Sequence, residues 1–364
     1  MRILYGIQGT GNGHLSRARV MAKALAAQGV EVDYLFSGRA ADKYFDMQGF
    51  GAYQTCAGLS FSTARGKVNV PATVRNNSLL GLWRDIRSLD LSGYDLVLND
   101  FEPVSAWAAR RQGVTCIGIS HQAALRWPVP KVGNSWFNDW LLEYFAPVDL
   151  ALGCHWHHFG FPILPPFVEV ASVTSEESHE ILVYLPFESP EDICALLLPF
   201  DSHRFHVYHA GKMPSQLPPH VHWHGFNREG FKRDMARCGG VIGNAGFELA
   251  SEAMTLGKKL LVKPLMGQFE QLSNVAALEL LAAAESMHSL NRQTLRRWLR
   301  ASNPQPIHYP DVGDMLVSWL QQGHWQDTQG LCQEIWSKVR LPDCWSSSRD
   351  SRALSQPLPK AASR

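Results

Sequence analysis

The apolar positions of the chain fall into two alternating periods. Arg2 to Ile7 is a short apolar run suited to a strand, Leu15 to Ala27 carries Leu, Val, Met and Ala at helical spacing and stops at Gly29, and Val30 to Phe36 is β-compatible again. This is a strand, crossover helix, strand unit. Tyr94–Asn99 and Val114–Ile119 predict further strands around a helix over Ser105–Gln112. Short apolar strands separated by helices predict a parallel, doubly wound sheet. Between residues 159 and 178 the pattern lapses at Pro162, Pro165 and Pro166 and runs into Ser, Thr and Glu, which predicts a hinge. Beyond it the alternation restarts with Glu180–Leu185, Pro190–Leu198, Arg204–Tyr208, Val221–His224 and Gly240–Gly243, then a helix over Glu248–Leu256 and a strand over Lys259–Val262. The expected architecture is α/β: two Rossmann-like doubly wound parallel-sheet domains, residues 1–158 and 179–341, facing a cleft, with a disordered Ser/Pro/Arg-rich tail over 342–364.

Composition narrows the classes. The 34 Lys+Arg residues against 33 Asp+Glu leave a net charge of +1, which gives no electrostatic basis for expecting a nucleic-acid partner. No stretch reaches the ~18 to 20 apolar residues of a membrane-spanning helix. The seven cysteines, Cys56, Cys116, Cys154, Cys194, Cys238, Cys332 and Cys344, include no C-x-x-C pair, which predicts free thiols. Met1 to Ile7 reads as a first strand, not a secretory leader, so a cytoplasmic protein is expected.

Two glycine-rich turns carry the candidate chemistry. Gln8-Gly9-Thr10-Gly11-Asn12-Gly13-His14 lies between a strand and a helix, where backbone N–H groups at Gly11 and Gly13 can approach a phosphate or a sugar oxygen. Glu31 and Asp33 stand where a dinucleotide fold would hold a ribose, but G-x-G-x-x-G needs a glycine where this chain has His14. Gly243-Asn244-Ala245-Gly246 opens a second helix after a strand and is a further candidate for a diphosphate. Glu252, nearly two turns into that helix, suits the paired hydroxyls of a ribose, or else is an ordinary solvated position.

The fifteen histidines predict no metal site. His220, His222 and His224 alternate along one strand, and at ~3.3 Å per residue the outer two stand about 13 Å apart, whereas zinc needs each nitrogen within ~2.1 Å. His155 and His157 have no acidic or thiolate partner placed by sequence. Arg292, Arg296, Arg297 and Arg300 read as a solvated helix face. The aromatic segment Trp136 to Phe145 reads as core packing, with a patch for a lipid-linked acceptor as the alternative.

Taken together, Gly9-Thr10-Gly11-Asn12-Gly13-His14, Asp100-Phe101-Glu102-Pro103, Asn244-Ala245-Gly246-Phe247-Glu248-Leu249 with Ser251-Glu252-Ala253, and Pro264-Leu265 with Gly267-Gln268-Phe269-Glu270-Gln271 and Asn274 resemble nucleotide-sugar glycosyltransferases of the GT-B fold. The likeness is to a bacterial family with D-F-E-P after a strand and, more distantly, to the UDP-N-acetylglucosamine transferase that makes lipid II. It spans about residues 1 to 280.

The resemblance implies transfer of a sugar, with inversion, from a UDP-linked donor on the second lobe to a hydroxyl acceptor, lipid-linked or saccharide, on the first. It implies no cofactor and no bound metal, and a place in cell-envelope, polysaccharide or glycolipid biosynthesis. By position, Glu252 would hold the ribose, Glu270 and Gln271 would contact the donor sugar, Gln268 would also bind the donor, and Gly225 and Phe226 would pack on the base. The Gly-Gly-Ser loop of the lipid II enzyme is replaced here by Leu185-Pro186-Phe187-Glu188-Ser189, which leaves more of the diphosphate to Gly243, Asn244, Ala245 and Gly246. His14 is expected to be the general base, because imidazole titrates near ~6.5, with Asp100 as its orienting acid; Glu102 and His121 share that sheet edge and stay open as bases. A UDP-sugar 2-epimerase of the same fold, and a nucleotide-sugar-binding regulator without turnover, are the alternatives. The identity of the sugar, peripheral contact with the inner face of a membrane and the oligomeric state stay open.

Overall fold

A computed structural model describes residues 1–59, 78–169 and 178–342, with Trp345 and the backbone of 63–64 and 67–68. The first sheet holds β1 (Arg2–Gln8), β2 (Glu31–Ser37), β3 (Tyr53–Cys56), β4 (Leu96–Asp100), β5 (Cys116–Ser120) and β6 (Leu150–Gly153), all parallel, in the order β3-β2-β1-β4-β5-β6. The second holds β7 (Glu180–Tyr184), β8 (Arg204–Tyr208), β9 (Val221–His224), β10 (Gly240–Asn244), β11 (Lys259–Lys263) and β12 (Glu285–Ser286), also parallel, in the order β9-β8-β7-β10-β11-β12. Each sheet therefore reverses its direction of growth beside its own first strand, and the crevice outside the carboxyl ends of the strands at that point is where such sheets hold ligands.

Among the described residues the α-helices of the first half are α1 (Asn12–Ala27), α2 (Leu79–Ser88), α3 (Pro103–Gln112), α4 (His121–Ala124) and α5 (Trp136–Tyr144). Those of the second half are α6 (Pro190–Leu197), α7 (Arg228–Arg237), α8 (Phe247–Thr255), α9 (Phe269–Leu280), α10 (Arg292–Leu299), α11 (Val312–Gln322) and α12 (Thr328–Trp336). β4, β5 and β10 are buried along their whole length, as central strands covered by helices on both faces must be. The strands that periodicity does not predict lie at the edges: β3 exposes Tyr53, Gln54 and Thr55, and β12 has two residues.

One local finding differs from the sequence expectations. The aromatic segment forms α5 with Trp136, Phe137, Trp140 and Tyr144 facing outward and only Leu142 of the helix buried, followed by buried Phe145, because the helix lies over the lobe with a narrow inward stripe. Residues 159–169 of the expected hinge are packed: Cys154 bridges to Leu164, and Ile163, Leu164, Phe167 and Val168 are buried. Residues 170–177 of that hinge, and all of the expected tail except Pro342 and Trp345, lie outside the described residues. The arginines of α10 flank a buried Leu295, Trp298 and Leu299, with Arg297 paired to Glu285. The six described cysteines are free, and among the described residues no helix is long and apolar enough to cross a membrane.

After the second sheet the chain returns to the first lobe. α11 lies along α1, with Gln28 Nε2 donating to the Asp314 carbonyl at 2.8 Å, and Trp336 of α12 donates through Nε1 to the Ile163 carbonyl at 2.6 Å. Gly313 makes the close crossing possible, since a Cβ there would stand 3.3 Å from both the Ala24 and Val20 side chains. We expect Gly313→Leu to overpack this crossing and to lower stability by about 1 to 3 kcal/mol in urea unfolding. An unchanged midpoint would show that the α1–α11 contact does not constrain the fold.

Candidate active site

The Asp100-Phe101-Glu102-Pro103 segment turns the chain from β4 into α3, and each residue has its own task. Asp100 ends the strand, Phe101 takes φ 52° and stacks on Phe145, Glu102 caps α3, and Pro103 occupies the first turn, where its missing N–H is harmless. Glu102 is fully buried and accepts from the Val104 and Ser105 N–H groups and from the hydroxyls of Ser37 and Ser105, at 2.6 to 2.8 Å. Its carboxylate is thus committed to the turn. Glu102 shares the sheet edge with Asp100, as expected, but faces the interior and is not available as a base.

Asp100 lies at the switch point of the first sheet and meets α1. Its Oδ1 is 2.7 Å from His14 Nδ1, and Arg17, one turn further along α1, donates Nε to Oδ2 at 2.8 Å and Nη2 to Oδ1 at 2.7 Å. Asp100 Oδ1 can only accept, so the 2.7 Å contact assigns the His14 proton to Nδ1, with Arg17 Nη2 3.2 Å from the same nitrogen, and Nε2 has no hydrogen-bond partner among the described residues. Arg17 is buried, and its Nη1 also donates to Glu248 Oε1 on α8 of the second lobe. Arg17 and Glu248 are not singled out by the sequence; the only cue to Arg17 is a cation on the apolar face of α1, between Leu15 and Ala18.

Further bonds tie the lobes together around this point. Asn12 Nδ2 donates to the Tyr184 hydroxyl at 3.0 Å, and Gln122 Nε2 donates to Glu270 Oε2 at 2.9 Å. His121 is buried, with Nδ1 2.9 Å from the Cys154 carbonyl, Nε2 2.7 Å from Asn274 Oδ1, and its ring stacked on Phe247. With both nitrogens taken, His121 is a fastening between lobes and is not placed to receive a proton from an acceptor.

Three helix N-termini converge here without side-chain caps. α1 starts from Gly11, α8 from Gly246 and α9 from Gln268, and none has a side-chain hydrogen bond, whereas every other described α-helix is capped by a Ser, Asn, Asp or Glu side chain. A Cβ on Gly13 would stand 3.0 Å from Glu248 Cγ, so the starts of α1 and α8 face each other across the lobes. Open space surrounds Gly246. Free N–H groups and the positive end of a helix at this spot suit an anion.

The remaining predicted residues divide by where their side chains go. Gly243 packs under Leu249; Asn244 is buried and donates to the Lys263 carbonyl at 2.9 Å; the Ala245 carbonyl accepts from Asn274 at 2.9 Å; buried Gln271 accepts from the Leu265 N–H at 2.8 Å. These four shape the loops from within. Glu252 is half-buried, with the charges of Lys232, Arg228 and Arg19 around it. Gly225 is open, and the exposed Phe226 ring stacks on Phe45 of the first lobe at 6.0 Å.

Comparison with known proteins settles the class. The sequence profile of the family described as Glycosyl transferase family 1 matches residues 1–132 and 159–302, more than half of the chain. The chain belongs to glycosyl transferase family 1. Solved glycosyltransferases share the fold of this transferase. SnogD from Streptomyces nogalater is 17% identical with a TM-score of 0.52, over 90% of this chain and 96% of its own. CalG4, the calicheamicin glycosyltransferase, is 16% identical with a TM-score of 0.54, over 93% of this chain and 94% of its own. UGT89C1 of Arabidopsis thaliana, solved in complex with UDP, is 15% identical with a TM-score of 0.57, over 92% and 99%. No curated protein matches the sequence. The protein is a glycosyltransferase of the GT-B type, with two α/β domains.

The buried charges of the transferase are uneven. Burial works against ionised Asp100, but Arg17 and His14 outweigh it and hold the carboxyl below its ordinary range. Burial likewise opposes the charge on Arg17, which the carboxylate of Asp100 above all restores. Glu248 receives a single Arg17 nitrogen, and burial pushes its carboxyl up to about 8 with the Asp100 charge adding to the rise. Burial also raises Glu252 against the pull of Lys232, Arg228 and Arg19, and lowers His121.

Glu248 therefore keeps its proton in the fold to about 8, against ~4.3 when unfolded. Its contribution to stability is fully present below ~4.3 and is lost as the pH rises toward 8, because over that window the folded chain binds more protons than the unfolded one. In urea titrations the parent should lose stability relative to Glu248→Gln between about pH 5 and pH 8. A difference that stays constant with pH would mean that Glu248 is ionised throughout.

Proposed function

We propose that this glycosyltransferase moves a sugar from a UDP-linked donor, held by the second lobe, to a hydroxyl of an acceptor on the first lobe, by a single inverting displacement with His14 as the general base. The observation that carries the reading is the 2.7 Å contact of His14 Nδ1 with buried Asp100, which leaves the lone pair of Nε2 free at the start of α1, opposite the uncapped N-terminus of α8. The acceptor O–H gives its proton to Nε2, and its oxygen forms the new bond to the anomeric carbon. The bond from that carbon to the diphosphate oxygen breaks, and UDP leaves with the electron pair. Asp100 stabilises the imidazolium that forms, and the N–H groups that open α8 meet the charge developing on the leaving diphosphate.

The donor reading rests on more than one feature. The half-buried Glu252 lies among three cations yet makes no direct ion pair with any described residue, so it can accept from the two ribose hydroxyls. Gly225 offers open space and Phe226 an exposed ring for the base. The UDP bound by UGT89C1, on the same fold, supports a uridine donor. On the acceptor lobe, Trp136 is 80% exposed and Phe137, Trp140 and Tyr144 stand beside it, which supports an acceptor with an apolar, lipid-like portion.

Two variants test these assignments separately. His14→Ala should lower turnover about a hundredfold or more with donor affinity nearly intact. If turnover survives and donor binding falls instead, His14 is a binding residue. Glu252→Ala should weaken UDP binding by about 1.5 to 3 kcal/mol in calorimetry, and equal affinity would remove Glu252 from the ribose.

A further inference from the structure

The histidines of the second lobe come together in a way that spacing along one strand does not reveal. His206 on β8 and His224 on β9 occupy the same face of the sheet as Tyr208 and His222, since His206 registers with His222 and Tyr208 with His224. α7 brings Asp234 onto that face. His206 Nδ1 stands 3.3 Å from His224 Nε2 and 3.5 Å from Asp234 Oδ2. Among the described residues this is the one group of three or more His, Cys, Asp or Glu side chains whose ligand atoms lie within 4.8 Å of one another.

We propose that His206, His224 and Asp234 form a site for a borderline divalent transition metal, zinc above all. A tetrahedral zinc ion with donors at ~2.0 to 2.1 Å holds them about 3.4 Å apart, which is the separation of His206 Nδ1 from each of its two neighbours. Nitrogen and carboxylate donors are those that zinc accepts, and hard cations such as magnesium prefer all-oxygen sites. A hydroxyl and a carboxylate stand behind the donors, as around metal sites. The Tyr208 hydroxyl donates to Asp234 Oδ2 at 2.7 Å, and Glu180 Oε2 is 3.7 Å from His206 Nε2, the other ring nitrogen, too far for a hydrogen bond as it stands. That nitrogen is buried with no hydrogen-bond partner. His206 and His224 are only partly buried, so the site can be reached from solvent.

The argument from strand spacing that separates His220 from His224 does not touch this site, because its donors come from two strands and a helix. The ion would tie β8, β9 and α7 together at the base of the Gly225–Phe226 turn, since His224 is the last residue of β9. This assignment stands apart from the proposed catalytic step, which uses none of these residues.

The test uses the full chain without a histidine tag, stripped by a chelator and then titrated with Zn2+ and Co2+. One equivalent should bind. The Co2+ form should show the strong visible absorption of a tetrahedral site without a thiolate charge-transfer band in the near ultraviolet, and Zn2+ should raise the melting temperature. Affinity should fall on the order of a hundredfold in His206→Gln and in Asp234→Asn, each checked for a cooperative thermal transition, and about tenfold in Tyr208→Phe. Absence of saturable binding, a thiolate band, or parent-like affinity in folded His206→Gln and His224→Gln would overturn the assignment.

Discussion

Arg17 sits in the interior with its guanidinium between Asp100 of the first lobe and Glu248 of the second. A charge removed from water needs partners in fixed places, and a planar guanidinium specifies those places more tightly than an ammonium would. Asp100 receives two of its nitrogens and remains ionised, which in turn sets the His14 proton on Nδ1. Glu248 receives the third nitrogen, so the start of α8 is held against the start of α1. The orientation of the base and the placement of the anion-binding helix thus depend on one buried cation. The tight turn through Phe101 follows from the same demand, since it leaves Asp100 at the end of β4 while Glu102 is used to cap α3.

Much of this was legible in the sequence. Central strands are fully buried and read as continuous apolar runs, so both sheets could be recognised, and the His14–Asp100 pair followed from two loops at the same edge of a parallel sheet. Edge strands such as β3 carry no such run because they are not covered. Glu102 and Asp100 are both acids beside the end of a strand, and only the fold tells a helix cap from the partner of a histidine. His121 could not be set aside from sequence, because its second partner, Asn274, is 153 residues away on the other lobe. Arg17 was missed for a related reason: local periodicity records a polar residue on an apolar face but not the two distant carboxyls that make it stable there.

The same limit applies to surfaces. The aromatic residues of α5 have the composition of a core segment, and exposure is decided by which side of the lobe the helix lies on. In the second lobe, the alternation of histidines along β9 says nothing of β8 or α7, where the other members of that cluster reside. Pairings across elements are therefore the part of function that a one-dimensional pattern transmits least.

The return of α11 and α12 to the first lobe also bears on how the protein is made. α1 buries part of its surface under residues that follow the second sheet, so the first lobe is complete only after residue 336 has left the ribosome. Until then the strip of α1 at Val20 and Ala24 lacks its covering contact with Gly313. A chain cut between the sheets would have to carry α11 and α12 back to its first half to make that lobe whole.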